Sequence, residues 1–113
     1  MRLYTLCDLY NWDDRGLIIP PQPDNLQSPL HPTYQMDRPH IIYCEKTGKY
    51  VAWLKNVGGD ISQFMTVLTA DCFEGPYTVV RSIYKPLDMD SGDFYLHVDA
   101  QKKGIYLVRT AAF

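Results

Sequence analysis

The sequence predicts an all-β fold made of short antiparallel strands. Apolar residues make up 46% of the 113 residues, which excludes wholesale disorder, and the 13% that are aromatic favour strands over helices. Seven glycines and eight prolines stand between apolar runs, where they separate strands. No stretch has the periodicity of an amphipathic helix. The length suits one ordinary domain, or part of one.

The first strands are expected at Arg2–Cys7 and Leu17–Ile19, with a loop of turn-forming residues between them. From Pro20 to Pro32 the chain contains five prolines, together with polar turn formers. Proline lacks an N–H group and disrupts both helices and sheet interiors, so this segment is expected to be a long surface connection. Loops of this length in compact folds are commonly functional, and this one is expected to line a binding surface without building a core.

The segment from Asp37 to Lys55 reads as a complete hairpin. His40–Cys44 and Lys49–Lys55 are strand-like, and Glu45–Gly48 supplies the turn between them. Pro39 should push Arg38 into an extended conformation, so residues 37–39 are expected to form an extended lead-in to the strand. Asp37 would then lie at a sheet end, where side chains converge on a site.

The remaining elements continue the pattern of strands and turns. A flexible turn is expected at Val57–Asp60, and a loop at Lys85–Gly92. Together with the hairpin, the next two strands would complete a four-stranded meander, and a new hairpin would follow the loop. The additional strands are expected at Gln63–Ala70, Tyr77–Tyr84, Asp93–Asp99 and Gly104–Arg109.

An internal repeat indicates how these strands are organised. Residues 45–51 resemble residues 101–107, and the segment from Thr69 to Tyr77 resembles the segment from Leu6 to Leu17. A period of roughly fifty to sixty residues with four strands matches a propeller blade. The predicted division is an outer half of a first blade, a Pro-rich loop, a complete second blade, and a loop with the inner hairpin of a third, at 1–19, 20–36, 37–84 and 85–113. Since a propeller needs roughly four to eight blades, the chain is predicted to be a fragment of one.

Four segments in the same order resemble one known family. Residues 36–53, MDRPHIIYCEKTGKYVAW, resemble the second-blade hairpin of glycoside hydrolase family 43, particularly its galactan exo-β-1,3-galactosidase branch. The resemblance covers nearly the whole chain. The other matching segments are Asp8–Trp12 with Gly16 and Leu17, Phe73–Tyr77, and Ser91–Asp93 with Gly104–Val108.

The resemblance implies a five-bladed propeller that cleaves O-glycosidic bonds in galactan or plant cell-wall side chains, usually by inversion. Inversion requires a water molecule between base and sugar, so the general base and general acid stand about 6.5–9.5 Å apart. A third carboxylate raises the pKa of the acid. Asp37 matches this pKa-tuning residue, where the galactosidase branch usually has Glu. The base and the acid are expected outside this chain, before Met1 and after Phe113, so the chain alone is expected to be inactive.

Two further residues are candidates for substrate binding. Arg38 is expected to contact either Asp37 or a sugar hydroxyl, with a structural ion pair as the alternative. Asp93, at the corresponding position of the third blade, is expected to face the central site or otherwise to end the preceding loop. The histidines and tryptophans of the strands and turns are expected to pack in the core. The alternative for the tryptophans is to stack against a sugar ring. These histidines and tryptophans are His40, His97, Trp12 and Trp53.

Composition argues against several other partners and cofactors. The net charge is −2 and the eleven Lys and Arg residues are scattered, so no nucleic-acid partner is expected. Cys7, Cys44 and Cys72 lack the spacing of a zinc site, and Cys44 is expected to pack as a small apolar residue. Asp88 and Asp90 only weakly suggest structural calcium, so no cofactor is expected. No long apolar segment follows Met1, so neither a signal peptide nor a membrane span is expected within this chain.

Two alternatives to a hydrolase remain open. One is a non-catalytic propeller module that binds carbohydrate or protein. The other is a small self-contained domain that associates with itself through open strand edges. The expected partners are a polysaccharide or oligosaccharide and the remainder of the propeller itself. The resemblance also favours a secreted or periplasmic protein.

Overall fold

The computed structural model describes residues 1–58, 63–90 and 92–108, and this part of the chain forms three antiparallel sheets. The first pairs β1 with β2, the second has the order β3-β4-β5-β6, and the third pairs β7 with β8. One 3₁₀ turn, Pro86–Asp88, follows the second sheet. The strands are β1 Arg2–Thr5, β2 Asp13–Leu17, β3 Gln35–Cys44, β4 Lys49–Val57, β5 Phe64–Ala70, β6 Thr78–Tyr84, β7 Phe94–Val98 and β8 Gly104–Val108.

This architecture confirms the predicted all-β fold and its four-stranded meander. Within the described ranges no helix has the length and apolar character needed to cross a membrane. Some predicted boundaries fall outside these ranges, namely the second half of the turn at Val57–Asp60, Ser91 and the strand end at Arg109. The assignment of each sheet to a particular blade stays a prediction.

The second strand lies earlier than the sequence predicted. It runs from Asp13 to Leu17, inside the expected loop, whereas Ile18 and Ile19 leave the sheet and are buried. The polar residues of β2 have little intrinsic strand preference, but pairing with β1 holds them extended, and Arg2 contacts Asp14 across the pair at 2.8 Å. Tertiary context therefore overrides local propensity here.

The third strand begins at Gln35 and contains a bulge, so the predicted extended lead-in at residues 37–39 is wrong. Asp37 pairs with Lys55 and His40 pairs with Trp53, so Arg38 and Pro39 together oppose a single residue of β4. Arg38 is not extended but left-handed, with φ of +52°. The bulge accommodates Pro39, which cannot donate a hydrogen bond to the ladder, and it gives the strand one extra residue.

The central sheet is covered on both faces. On one face its residues pack with Ile18 and Ile19 beyond β2 and with Leu30 of the Pro-rich loop. On the other face Met65 packs with Phe94 and Leu96 of β7. The expectation that the Pro-rich loop builds no core is wrong, because Leu30 is only 4% exposed. Face-to-face packing of successive sheets is the arrangement of propeller blades.

Ion pairs also join the three sheets at their ends. Arg15 of β2 donates to Glu74 in the β5–β6 turn through Nε at 3.1 Å and Nη2 at 2.9 Å. Lys102 in the β7–β8 turn lies 3.3 Å from Glu45 in the β3–β4 turn. All four side chains are about half exposed, and such pairs each stabilise by only about 0–1 kcal/mol. The apolar cores therefore dominate the packing of the sheets.

Asn56 fixes the Pro-rich loop to the central sheet, and its loss is expected to destabilise the protein. Its Nδ2 donates to the Pro29 carbonyl at 2.8 Å, and its Oδ1 accepts from the Thr66 hydroxyl at 2.7 Å. In Asn56→Ala the half-buried Pro29 carbonyl and the buried Thr66 hydroxyl each lose a hydrogen bond, which should lower the free energy of unfolding by about 1–3 kcal/mol. Urea denaturation measures this change. Gln101→Ala, at an exposed turn, is the control, and equal stability of the two variants would contradict the prediction.

The loop after β1 is expected to open in acid. Asp8 accepts hydrogen bonds from the backbone N–H groups of Asn11 at 2.8 Å and Tyr10 at 2.9 Å, and these bonds lower the pKa of Asp8 to about 2. A carboxyl whose folded pKa is depressed stabilises the fold above its unfolded pKa, so this contribution is lost between about pH 4 and pH 2. NMR of the Tyr10 and Asn11 amides measures the transition. Unchanged amide shifts down to pH 2 would contradict it.

Candidate functional site

Four charged residues lie at the end of the central sheet where β3 begins, β4 ends and β7 begins. Asp37 and Lys55 are direct partners in the antiparallel register, so their side chains lie on the same face. Arg38 follows in the bulge, and Asp93 immediately precedes β7. We call these four residues the charge cluster. The structure thus places Asp37, Arg38 and Asp93, the three residues singled out in the sequence, at one sheet end.

The carboxylate of Asp93 is the centre of the charge cluster. Its Oδ2 accepts from Nη2 of Arg38 at 3.0 Å, and its Oδ1 lies 3.8 Å from Nζ of Lys55. Of the partners expected for Arg38, the ion pair therefore forms with Asp93 of the neighbouring sheet and not with Asp37. This contact joins the start of β3 to the start of β7 across two sheets.

Lys55 belongs to this site but was missed in the sequence. Its side chain is only 11% exposed, in contrast to 58% for Arg38 and 49% for Asp93. A buried lysine normally requires a paired charge, which Asp93 supplies here. The position of Lys55 could be predicted from the sequence, because the hairpin register sets the end of β4 opposite Asp37. The burial of Lys55 could not be predicted, because it depends on the third sheet.

The backbone is strained at Arg38, the residue of the bulge that contacts Asp93. A left-handed conformation costs roughly 1–2 kcal/mol for a residue other than glycine, and strain of this kind is concentrated at functional sites. The bulge contains the residue whose guanidinium contacts Asp93.

The carboxylate of Asp37 is exposed at this sheet end. Exposed carboxylates and a guanidinium provide hydrogen-bond acceptors and donors for a polyhydroxylated ligand.

The histidines behave differently from each other. His40 is half-buried, and its ring centroid lies 4.9 Å from that of Phe94 and 5.2 Å from that of Tyr95, which confirms that it packs. His97 is exposed, so the expectation of core packing is wrong for it. It alternates along β7 with the buried residues Phe94 and Leu96, and therefore lies on the opposite face of β7 from them.

The tryptophans also differ. Trp53 packs between Tyr84 and Tyr106, with ring centroids 6.0 Å and 5.3 Å away, which confirms a core position. Trp12 is 62% exposed, so its predicted core position is wrong. It lies in the loop just before β2, outside both core clusters.

The structure offers little for a metal ion. Among the described residues no group of three or more His, Cys, Asp or Glu side chains converges. Asp90, one of the two weak calcium candidates, contacts Lys85 at 2.8 Å. The three cysteines are free thiols, and hydrogen bonding with Thr47 lowers the pKa of the half-buried Cys44 below its usual value.

Together, the fold and the charge cluster define part of a β-propeller with a polar site at one end of its blades. No protein-family model and no curated protein matches the sequence. Solved structures do match. A β-1,3-galactosidase of glycoside hydrolase family 43, BT0265, has 28% sequence identity and a TM-score of 0.84, over 96% of this chain and 24% of that chain.

Two further matches agree with it. The exo-β-1,3-galactanase of Phanerochaete chrysosporium, solved with β-1,3-galactotriose, has 27% identity and a TM-score of 0.82, over 96% of this chain and 25% of its own. The exo-β-1,3-galactanase of Clostridium thermocellum has 23% identity and a TM-score of 0.76, over 96% of this chain and 25% of its own. At that identity it supports the fold alone.

These matches confirm the resemblance to glycoside hydrolase family 43 and its propeller fold. The chain spans about a quarter of the length of these three proteins. The similarity therefore covers a part of a propeller, in agreement with the three sheets described above. The roles of Asp37, Arg38 and Asp93 stay predictions.

Proposed function

We propose that this chain is part of a glycoside hydrolase that cleaves O-glycosidic bonds in galactan or plant cell-wall side chains, by acid–base catalysis with inversion. The observation behind the proposal is the likeness, over 96% of the chain, to a β-1,3-galactosidase. A solved exo-β-1,3-galactanase that contains β-1,3-galactotriose supports an oligosaccharide partner. The charge cluster lies at a sheet end, where polar groups from neighbouring blades can meet.

In this proposal each residue of the cluster has a separate task. Asp37 is the carboxylate that raises the pKa of the general acid by like-charge repulsion. Arg38 and Asp93 bind sugar hydroxyls, and their mutual ion pair at 3.0 Å fixes both side chains before substrate arrives. The general base and the general acid come from blades outside this chain. The chain alone is therefore inactive, and it requires the remainder of its propeller.

The chemistry needs no cofactor. The acid protonates the leaving oxygen, while the base activates a water molecule on the opposite face of the sugar. The carboxyl groups of acid and base stand about 6.5–9.5 Å apart, which leaves room for that water. Because the acid must be protonated when substrate binds, a neighbouring negative charge assists it. Action on an external polysaccharide would require a secreted or periplasmic protein.

The open reading frame that contains these residues provides the test. We expect the preceding blade to supply an Asp and the fourth blade a Glu, and the complete protein to release galactose from β-1,3-galactan. Inversion of a β-linkage would yield α-galactose first, which ¹H NMR during hydrolysis detects. Apolar residues at both positions, with galactan binding but no release of sugar, would instead support a non-catalytic binding module.

A further inference from the structure

A cavity lies between the Pro-rich loop and the start of β6, and it shares no residue with the charge cluster. We call it the loop cavity. Its volume is about 540 Å³, within the range of roughly 300–1,000 Å³ typical of small-molecule sites. Gln22, Asn25 and Gln27 of the loop line one side, and Tyr77 and Thr78 line the other. The proposed hydrolase chemistry does not use this space.

The side chains of the loop cavity define what it can bind. None of its lining residues is charged, so an ionic ligand would find no counter-charge there. Primary amides both donate and accept hydrogen bonds, as sugar hydroxyls do, and three amides are present. The half-buried Val79 adds apolar surface, which suits the C–H face of a sugar ring. The lining therefore matches a neutral saccharide.

Hydrogen bonds shape the loop side of the cavity before any ligand binds. The Gln22 N–H donates to the Leu30 carbonyl at 3.0 Å and closes the loop on itself. Inside it, the buried Ser28 hydroxyl donates to Oε1 of Gln22 and accepts from the Leu30 N–H at 3.1 Å. Asn56 then fixes Pro29 to the sheet at 2.8 Å. A site that is already shaped loses less entropy when it binds a ligand.

Contacts within the chain also fix the opposite wall of the loop cavity, at Tyr77. Gly75 has φ of +93°, which strains any other residue, and a Cβ there would lie a tight 3.2 Å from both the Ile18 carbonyl and Tyr77. The Tyr77 hydroxyl donates to the Phe73 carbonyl at 2.8 Å, which holds the ring at the cavity. Burial raises the pKa of the Tyr77 hydroxyl above its ordinary value.

From this geometry we propose that the loop cavity is a second saccharide site, which holds a neutral glycan chain apart from the charge cluster. The preference for uncharged sugars follows from the lining of the cavity. Only the choice of galactose as the sugar rests on the proposed function. Such a site would retain a branched or polymeric substrate on the protein surface.

Titration of the ¹⁵N-labelled chain with β-1,3-galactobiose tests the proposal, with digalacturonate as the charged comparison. We expect the neutral disaccharide to shift resonances of residues 22–30 and 77–79, and digalacturonate to leave them unchanged. Gln27→Ala and Thr78→Val should each weaken the binding about three- to tenfold, as expected for the loss of one hydrogen bond. Gln101→Ala, at a turn outside the cavity, is the matched control and should bind like the parent chain.

Three results would overturn the proposal. They are shifts confined to Asp37, Arg38 and Asp93, no shifts with the neutral sugar, and equal binding by all three variants. A proline-rich peptide that shifts residues 22–30 where the sugar does not would assign the cavity to a protein partner instead. Hydrolysis is measured separately on the complete reading frame, so failure of the proposed activity and failure of this site are distinguishable.

Discussion

Leu54→Ala is expected to lower the free energy of unfolding by about 2–5 kcal/mol, the range for a fully buried leucine. Leu54 is 0% exposed, and it packs with Leu68 of β5, with Ile18 and Ile19 beyond β2, and with Leu30 of the Pro-rich loop. The substitution would leave a cavity between the central sheet and the first sheet, and the stiff β-branched neighbours cannot easily close it. Urea denaturation followed by tryptophan fluorescence measures the change.

Leu26→Ala is the matched control for this prediction. Leu26 is 75% exposed in the Pro-rich loop, so its truncation should change the free energy of unfolding by less than about 0.5 kcal/mol. If Leu54→Ala were no more destabilising than Leu26→Ala, the packing of the first sheet against the central one would not contribute to stability. The arrangement of face-to-face blades would then lose its main support.

In the complete hydrolase proposed above, Asp37→Asn is expected to lower kcat about 10²–10⁴-fold, the range for disruption of general acid–base catalysis. The substitution removes a negative charge while keeping the size of the side chain. Without that charge the pKa of the general acid falls, so the alkaline limb of the kcat/KM profile should move to lower pH. Steady-state kinetics between pH 4 and pH 9 measure both effects.

Asp37→Glu is the conservative control, because it keeps the charge and restores the residue that is usual in the galactosidase branch. We expect it to keep an alkaline limb close to that of the parent enzyme. Since Asp37 is exposed, Asp37→Asn should leave the thermal unfolding temperature nearly unchanged, which separates catalysis from folding. A loss of activity without any movement of the alkaline limb would contradict the tuning role and leave Asp37 as a binding residue.

The two proposed sites would act on the same polymer in different ways. In the proposed function, the charge cluster takes part in hydrolysis once neighbouring blades supply the base and the acid. The residues that line the loop cavity belong to this chain, so its binding is measured on the chain itself. Measurements of binding on the chain and of hydrolysis on the complete protein therefore give independent results.

The sequence alone determined the all-β class, the central hairpin and the position of Asp37 at a sheet end. These follow from local signals, namely alternating apolar residues, turn formers and a proline that interrupts regular pairing. The chain also repeats its own strand pattern, and a repeat of this length with four strands is typical of a propeller. Such features depend on residues that are close in the chain, so the order of the amino acids is enough to reveal them.

The tertiary structure decided the features that depend on contacts between distant segments. The strand at Asp13–Leu17 exists because β1 pairs with it, and Arg38 contacts Asp93, fifty-five residues away, because β7 packs beside β3. Lys55 is buried, and the Pro-rich loop contributes Leu30 to the core, because other sheets cover them. Burial and ion pairing of this kind are set by the surroundings of a side chain, which local sequence pattern does not specify.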